Sequence, residues 1–381
     1  MQKLNQPTMK SGIICLVLIT AFFTAIGYYM GAPNMLNTIM HTAHDLLLNT
    51  VFFLMAICVI TGGISRLFME FGVVKLFEKL LRPLMYPLFH LPGMASLGAV
   101  MTFLSDNPAI ISLSRDKWFA SNFKKYQFIS LTNFGTAFGM GLIVIIYMIS
   151  MGYFIPALIG LFGAICGCIT STRIVQRLLL KSNPEYANED AVSEEELEQM
   201  EQTTEEEETR SLTMRVLNSL LDGGKTGVDV GLSIIPGVVI ISSIVMIISF
   251  GPSADGTYTG GAYEGVAFLP AVCEKIDFVF EWLFGFSDPH QIAFPITALG
   301  AVGAALSLVP SFEAQGWIDG NAIAVFTAIG MCWSGYLSTH TAMLDSLGYR
   351  EHTTKAILAH TIGGIVAALV AHWAFMLYEI I

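Results

Sequence analysis

Charge is scarce in this chain: 13% of its 381 residues are Asp, Glu, Lys or Arg, about half the ~25% usual in soluble domains. With 54% hydrophobic residues and a mean hydropathy of +0.63, that scarcity excludes a soluble globular domain and indicates a polytopic membrane protein. Catalytic signatures are missing as well. The sequence has no Walker loop, nucleophile elbow, HExxH helix or paired catalytic carboxylates, so nothing in it argues for an enzyme. A disulfide framework and a haem motif are absent. Cys15, Cys58, Cys166, Cys168, Cys273 and Cys332 lie mostly inside apolar runs, and Cys166-Gly-Cys168 has the wrong spacing for a zinc knuckle. No basic surface for nucleic acid is present.

The acidic balance is local. Twelve of the acids fall between Glu185 and Glu208, and without them the net charge of −11 becomes nearly neutral. Residues 182–210 therefore read as a solvated cytoplasmic linker, with a helical piece at Ser193–Gln202.

What is present in abundance is long apolar runs. Ser11–Met30, preceded by Lys3 and Lys10, reads as an uncleaved first span with its N-terminus inside. Gly31–His44 lacks Lys and Arg and fits an outer loop, closing an N-terminal unit at residues 1–43. Leu46–Phe68 is the second span, and Met69–Phe89, with Lys75, Lys79 and Arg82 among leucines and valines, is an amphipathic helix in the inner interface. Phe128–Ser150 and Phe154–Leu180 are further spans, the first interrupted at Thr132–Gly135 and Gly139–Gly141.

Between them, Leu91–Lys125 is an apolar run broken at Ser105-Asp106-Asn107-Pro108. Its first arm is long enough for about half of a ~30 Å hydrocarbon core. Basic residues flank it on both sides: Lys75, Lys79 and Arg82 before, Arg115, Lys117, Lys124 and Lys125 after. The positive-inside rule puts both ends in the cytoplasm, so the stretch is expected to be a re-entrant hairpin rather than a span. Non-helical backbone at that depth is tolerated where protein or a watery cavity covers it.

The second half follows the same plan. Ser211–Lys225 is an inner lead-in, Val228–Phe250 a span, Gly251–Gly265 a cation-free outer loop and Phe268–Phe286 an outer interfacial helix. Pro289–Pro310 is bounded by cation-free segments and is expected to be the opposing hairpin. Ser311–Asn321 follows as a loop, and Ala322–Leu347 and Ala356–Tyr378 are the last spans. Counted from Pro92 and Pro289, Gly303 matches Asp106. The expectation is an all-α polytopic membrane protein with inverted-topology repeats at 44–181 and 211–381, each carrying a re-entrant hairpin and an interfacial helix.

The run Leu80-Leu81-Arg82-Pro83-Leu84-Met85-Tyr86-Pro87-Leu88-Phe89-His90-Leu91-Pro92, leading into Ser-Asp-Asn-Pro, resembles the Gate family, also called the nucleoside recognition domain. Leu221-Asp222-Gly223-Gly224-Lys225 through Ile235-Pro236-Gly237-Val238 is similar to the same family, and the resemblance runs from about residue 44 onward. Gate domains occur in concentrative nucleoside transporters, ferrous-iron transporters and spore maturation proteins. The resemblance implies two opposed hairpins and two broken helices holding a substrate and a coupling ion. By position these map onto Ser105, Asp106 and Asn107 with Thr132 and Asn133, and in the second half onto Ser307 with Ser334, Ser338 and His340. The chain departs from the family in having no counterpart of the acidic nucleoside-binding motifs and, within these residues, no GTPase domain.

The residues themselves support a similar set. Asp106 can bind a cation, a coupling proton or a substrate amine, or simply cap a helix, with Asn107 as its neutral neighbour. Thr132, Asn133 and Thr136 can donate oxygens to Na+ or a solute, or join helices. In the run Ser334–Thr341, which includes Ser338 and Thr339, His340 suits proton coupling or metal binding. His360 and His372 read as structural. The leading expectation is a secondary transporter of a small polar solute, nucleoside-like or otherwise, coupled to Na+ or H+ with no resident cofactor. It would sit in a bacterial inner membrane with the N-terminus and linker cytoplasmic and the C-terminus outside. A homo-oligomer or a second Gate-type membrane protein is the expected partner. The alternatives are a Gate-type scaffold or channel subunit and a metal-cation transporter.

Overall fold

A bilayer supplies no hydrogen-bond partners, so backbone crossing it must satisfy itself, and the helix does so at every residue. The computed structural model describes residues 8–106, 108–115, 117–192 and 211–381. Ser193–Gln202 and Asn107 lie outside them. The described chain is all-helical, and seven of its helical stretches are long and apolar enough to cross a membrane.

Helix α1 is Met9–Met30, and α2 is a single stretch, Ala32–Glu70. Helix α3 is Val73–Phe89, and α4 (Ala95–Leu104) and α5 (Pro108–Arg115) form the first hairpin, followed by a short α6, Lys117–Ala120. The first broken helix is α7 (Lys125–Thr136) with α8 (Gly141–Ser150), and α9 is Phe154–Ser182. The second half runs through α10 (Leu212–Ser249), the short α11 (Phe268–Cys273) and α12 (Asp277–Phe284). A second hairpin follows, α13 (Ala293–Gly300) and α14 (Val302–Gln315). A second broken helix, α15 (Gly320–Trp333) with α16 (Tyr336–Ser346), precedes α17 (Thr353–Ile380). Each half thus runs long helix, one or two shorter helices, helical hairpin, broken helix, long helix.

The packing gives the halves opposite directions. Gly62 of α2 meets Gly223 of α10, while Cys58 meets Gly227 and Met55 meets Gly231, so the numbers rise on one helix as they fall on the other. Helices α9 and α17 are antiparallel by the same test: Gly163 meets Ala371, Gly167 meets Ala367, and Ser171 meets Gly363. Small residues let these backbones approach closely, the usual source of association between apolar helices in lipid. Both α2 and α10 widen through one π-helical turn, at Leu46–Val51 and Gly237–Ser242.

Two segments read as loops or lead-ins are helical. All of Gly31–His44 after its first residue forms the first turns of α2, so residue 43 falls inside a continuous 39-residue helix, and all of Ser211–Lys225 after Ser211 belongs to the 38-residue stretch of α10. Both are about 58 Å long at 1.5 Å per residue, nearly twice the hydrocarbon thickness. The polar face at the start of α2 explains how it survives as helix. Asn34 donates to the Tyr258 carbonyl (2.9 Å), the Tyr263 amide donates to Thr42 Oγ1 (2.9 Å), and the Tyr263 hydroxyl donates to Asp45. Burial, with the Asp45 carboxylate beside it, holds the Tyr263 phenol well above its ordinary range. Helix α14 also runs past Pro310 to Gln315, and the interfacial helix read over Phe268–Phe286 is two short ones.

Helix α3 keeps Lys75, Lys79 and Arg82 exposed. Its end is fastened to α9: Arg173 donates to the carbonyls of Leu88 (2.8 Å) and Pro87 (2.6 Å), and Gln176 donates to that of Phe89 (3.1 Å). Arg173 also donates to His90 Nε2 at 2.6 Å. Desolvation, with Arg173 and Arg177 nearby, lowers the His90 pKa from its ordinary 6.5. The start of the acidic linker is docked too, with Lys124 on Asp190 (2.8 Å) and Lys125 on Glu189 (3.0 Å).

The α2–α10 contact makes a sharp test. A Cβ on Gly223 would collide with the Gly62 carbonyl, whereas one on the adjacent Gly224 meets only Val59, at 3.6 Å. Gly223→Ala is expected to cost about 1–3 kcal/mol from overpacking. Gly224→Ala is expected to stabilise by roughly 0.5–1 kcal/mol through helix propensity. Thermal unfolding of the two purified variants checks the contrast.

Candidate functional site: the helix breaks and the seam between them

Each hairpin is broken where a broken helix of the same half is broken. In the first hairpin the helix stops at Ser105 (φ −131°, ψ −104°), and Ile110 folds back over Gly98. The neighbouring broken helix is interrupted at Met140, whose φ of 55° is left-handed, and the ring of Phe103 fills the space a side chain on Gly141 would need. In the second hairpin the extended residue is Ala301 (φ −162°, ψ 124°), two positions before Gly303, which is helical and packs on Ile234. Its partner break lies at Ser334–Gly335. Gly335 has φ 64°, its amide donates to the Ala298 carbonyl (3.1 Å), and a side chain there would press on the Gly300 carbonyl.

The hairpins are held to the long helices by matched serines. Ser65 of α2 donates to the Leu104 carbonyl (2.7 Å), and Ser242 of α10 donates to the Ala304 carbonyl (3.1 Å). Ser307 belongs to this second tie, with its Oγ 2.9 Å from that of Ser242, so it faces α10 and not the histidines.

At the first tip a cavity of about 280 Å³ opens where the hairpin meets the α2–α10 crossing. Ser105, Ser65, Thr61, Thr226, Arg66 and Asp222 contribute polar walls, and Cys58, Met101 and Ile143 apolar ones. Ser105 donates to the Met101 carbonyl (2.8 Å), and the adjacent Asp106 lies within electrostatic reach of Cys58.

Thr132, Asn133, Thr136 and His340 assemble elsewhere, in a buried seam among α7, α9, α16 and α17. Asn133 Nδ2 donates to Ser171 Oγ (2.9 Å) and to the Ala356 carbonyl (2.8 Å). Ser171 Oγ lies 3.0 Å from His360 Nδ1, and His360 Nε2 donates to the Cys332 carbonyl at the α15–α16 break. A carbonyl can only accept, so a neutral His360 carries its proton on Nε2 and receives the Ser171 hydroxyl at Nδ1. Thr136 donates to the Thr132 carbonyl (2.8 Å) and touches Met343 (3.7 Å).

His340 sits beside this chain, its ring centroid 4.5 Å from that of His360, with Tyr336 flanking both. The Tyr336 carbonyl, one turn earlier, approaches the His340 ring without reaching hydrogen-bond geometry. Among the described residues, both ring nitrogens of His340, Asn133 Oδ1, Thr132 Oγ1 and Trp333 Nε1 are buried with no partner. An orphaned buried polar group costs about 1–3 kcal/mol. The seam thus offers acceptors and donors that a water, an ion or a polar solute would satisfy.

Ser334 is buried at the break itself, whereas Ser338 is exposed and Thr339 half-buried, both bonded back to the Gly335 carbonyl (3.1 and 3.0 Å). Ser171 and His360 were not singled out from sequence as site residues, and the four-residue spacing of small residues before Ser171 is the only signal that places it on a close helix contact. Outside the site, His290 is clamped by Asp288 (2.6 Å) and stacked on Trp317, while His372 bonds Asn321 (2.9 Å), both packing roles. Burial opposes the Asp288 charge, but the His290 hydrogen bonds outweigh it and lower the carboxyl's pKa. No cluster of three or more His, Cys, Asp or Glu placed for a metal occurs among the described residues.

No protein-family profile matches the chain, and no curated protein sequence does. Solved structures do. The chain is similar to CNTnw, a concentrative nucleoside transporter, in an inward-facing substrate-bound state, with TM-score 0.52 and 14% identity over 96% of this chain and 87% of that one. A doubly substituted CNTnw in an outward-facing state matches with TM-score 0.55 and 13% identity over 94% and 83%. An intermediate state gives 0.52 and 12% over 95% and 85%. At these identities the likeness establishes a shared fold, that of a multi-pass membrane protein.

Breaking the seam should be measurable. Ser171→Ala leaves Asn133 Nδ2 and His360 Nδ1 each short of a partner, and is expected to cost about 1–3 kcal/mol. Thr170→Ala removes only a bond to its own helix carbonyl, and its thermal unfolding should stay within about 0.5 kcal/mol of the parent.

Proposed function

We propose that this protein is a secondary active transporter that carries a small polar solute across the membrane by alternating access, coupled to Na+ or H+. The observation that carries the reading is the cavity of about 280 Å³ at the tip of the first hairpin, with a mainly apolar wall into which hydroxyls, the Arg66 guanidinium and the Asp222 carboxylate are set. It lies between a hairpin with broken backbone and a helix pair of unbroken length, where a polar solute would exchange water for protein partners. The volume is near the lower end of the ~300–1,000 Å³ range of small-molecule sites.

Two further features favour the reading. The fold likeness extends to structures of one transporter in inward-facing, intermediate and outward-facing states. The arrangement of inverted halves with paired breaks is also the one from which a hairpin and its broken helix can move as a body past a fixed pair. The hairpins are re-entrant in this reading, opening to opposite faces of the membrane. Ser105, which lines the tip cavity, and Asp106, the next residue along the chain, are the pair this reading assigns to the solute or its counter-ion. The orphaned oxygens of Thr132 and Asn133 suit Na+, and the orphaned ring nitrogens of His340 suit a proton. Hydroxyl, guanidinium and carboxylate walls suit a neutral or zwitterionic organic solute, nucleoside-like or otherwise, better than a soft metal ion.

The test is a thermal-shift screen of purified protein over nucleosides, amino acids and organic acids, with and without Na+ and at two pH values. A ligand at 100 times its Kd stabilises by about 2.7 kcal/mol, a shift of a few degrees. Asp106→Asn is expected to lower uptake of that ligand into proteoliposomes at least tenfold while the unliganded protein unfolds within a few degrees of the parent. A protein that binds no solute, in cells where Asp106→Asn leaves the phenotype intact, would contradict the transport reading and favour a scaffold or channel subunit.

A further inference from the structure

A second and larger cavity, of about 550 Å³, lies under the interfacial helix α3 and is lined by apolar side chains alone. Phe68 comes from α2, Leu81 and Leu88 from α3, Val100 from α4, and Phe138 and Leu142 from the first broken helix. Such a wall cannot hold a polar solute, and apolar cavities do not fill with water. The groove therefore takes a hydrocarbon. Its position names the source, because every wall but α3 belongs to a membrane-length helix, the broken helix or the hairpin. Leu84 and Phe77 of α3, which roof it, remain 45% and 41% exposed.

The opposite face of α3 carries the charge. Lys75, Lys79 and Arg82 are exposed there, one turn or two apart. Arg82 is engaged by Glu78 at 3.0 Å, whereas Lys75 and Lys79 form no ion pair among the described residues. A helix with an apolar roof on one side and two unpaired cations on the other lies at the level of phosphate headgroups, its lysine stems reaching outward. We propose that this groove holds one acyl chain of an anionic phospholipid whose phosphate is held by Lys75 and Lys79. The chain runs from the interface toward Phe103 and Phe138, beside the break between α7 and α8. It fills the gap between α2, which belongs to the long antiparallel pair, and the hairpin with its broken helix. Any motion of one past the other changes that gap, so the lipid sets how readily they slide. The binding itself is independent of the transport reading, since it is measured by lipid retention alone.

Native mass spectrometry of protein delipidated from nanodiscs of equal phosphatidylglycerol and phosphatidylcholine, matched in chain length, tests it. One phosphatidylglycerol is expected to remain, at least fivefold over phosphatidylcholine. Lys75→Gln with Lys79→Gln should abolish that preference. Ala99→Trp, from the groove wall, should reduce retention of both lipids at least fivefold, and Val100→Phe, a smaller filler less prone to misfolding, by a lesser amount. Ile240→Trp, on a 59% exposed position of α10, should change nothing. Retention without headgroup preference in the parent, or retention at the parent's level in both groove-filling variants, overturns the proposal. So does a dimer mass appearing in place of lipid.

Discussion

Backbone that leaves the helix inside a membrane must be covered by something other than water, and the rest of this structure is arranged around that requirement. The breaks at Ser105 and Met140 lie against each other through Phe103 and Gly141, and those at Ala301 and Gly335 through the Gly335 amide and the Ala298 carbonyl. Side chains complete the cover. Ser65 and Ser242 reach from the long helices to the hairpin carbonyls of Leu104 and Ala304, and Asn133 reaches from a broken helix to the Ala356 carbonyl. Close packing of small residues brings those helices near enough for such short side chains to reach. The cover differs from break to break: hydroxyls gather at Ser105 and imidazoles near the Cys332 carbonyl, whereas apolar side chains such as Phe103 close the break at Met140.

Much of this plan was legible in the distribution of a few residues. The interruption read at Gly139–Gly141 coincides with the left-handed Met140, whereas the one read at Thr132–Gly135 falls inside the continuous helix Lys125–Thr136, where polar side chains turn inward without unwinding it. The break after Leu104 was readable because Ser105 and Asp106 interrupt an apolar run. The second tip was harder. Ala301 has no special residue type, and a glycine two positions later drew the count to itself, although Gly303 serves packing against Ile234.

Other features could not be read locally. The first turns of α2 look like a loop because Asn34, Asn37, Thr42 and Asp45 are polar, yet they face a loop that comes back from residues 258–263, more than 200 residues away in sequence. Ser171 and His360 look like packing residues on their own helices, and only the crossing of α9 with α17 brings them together with Asn133. Ser307 looks like the second-half counterpart of the polar tip, but rotation of α14 turns it to Ser242. Periodicity gives a residue's face within a helix, and it is silent about which neighbour that face meets.

The account rests on the two halves being inverted about the paired breaks, with their hairpins open to opposite sides of the membrane. The most direct measurement is single-cysteine labelling at the hairpin bases, Arg115→Cys on α5 and Gln315→Cys on α14, both exposed positions. It is done in a background whose native cysteines are replaced, with a membrane-impermeant maleimide applied to right-side-out and inverted vesicles. Inversion predicts that Arg115→Cys labels only in inverted vesicles and Gln315→Cys only in right-side-out ones. Labelling of both from the same side would contradict it.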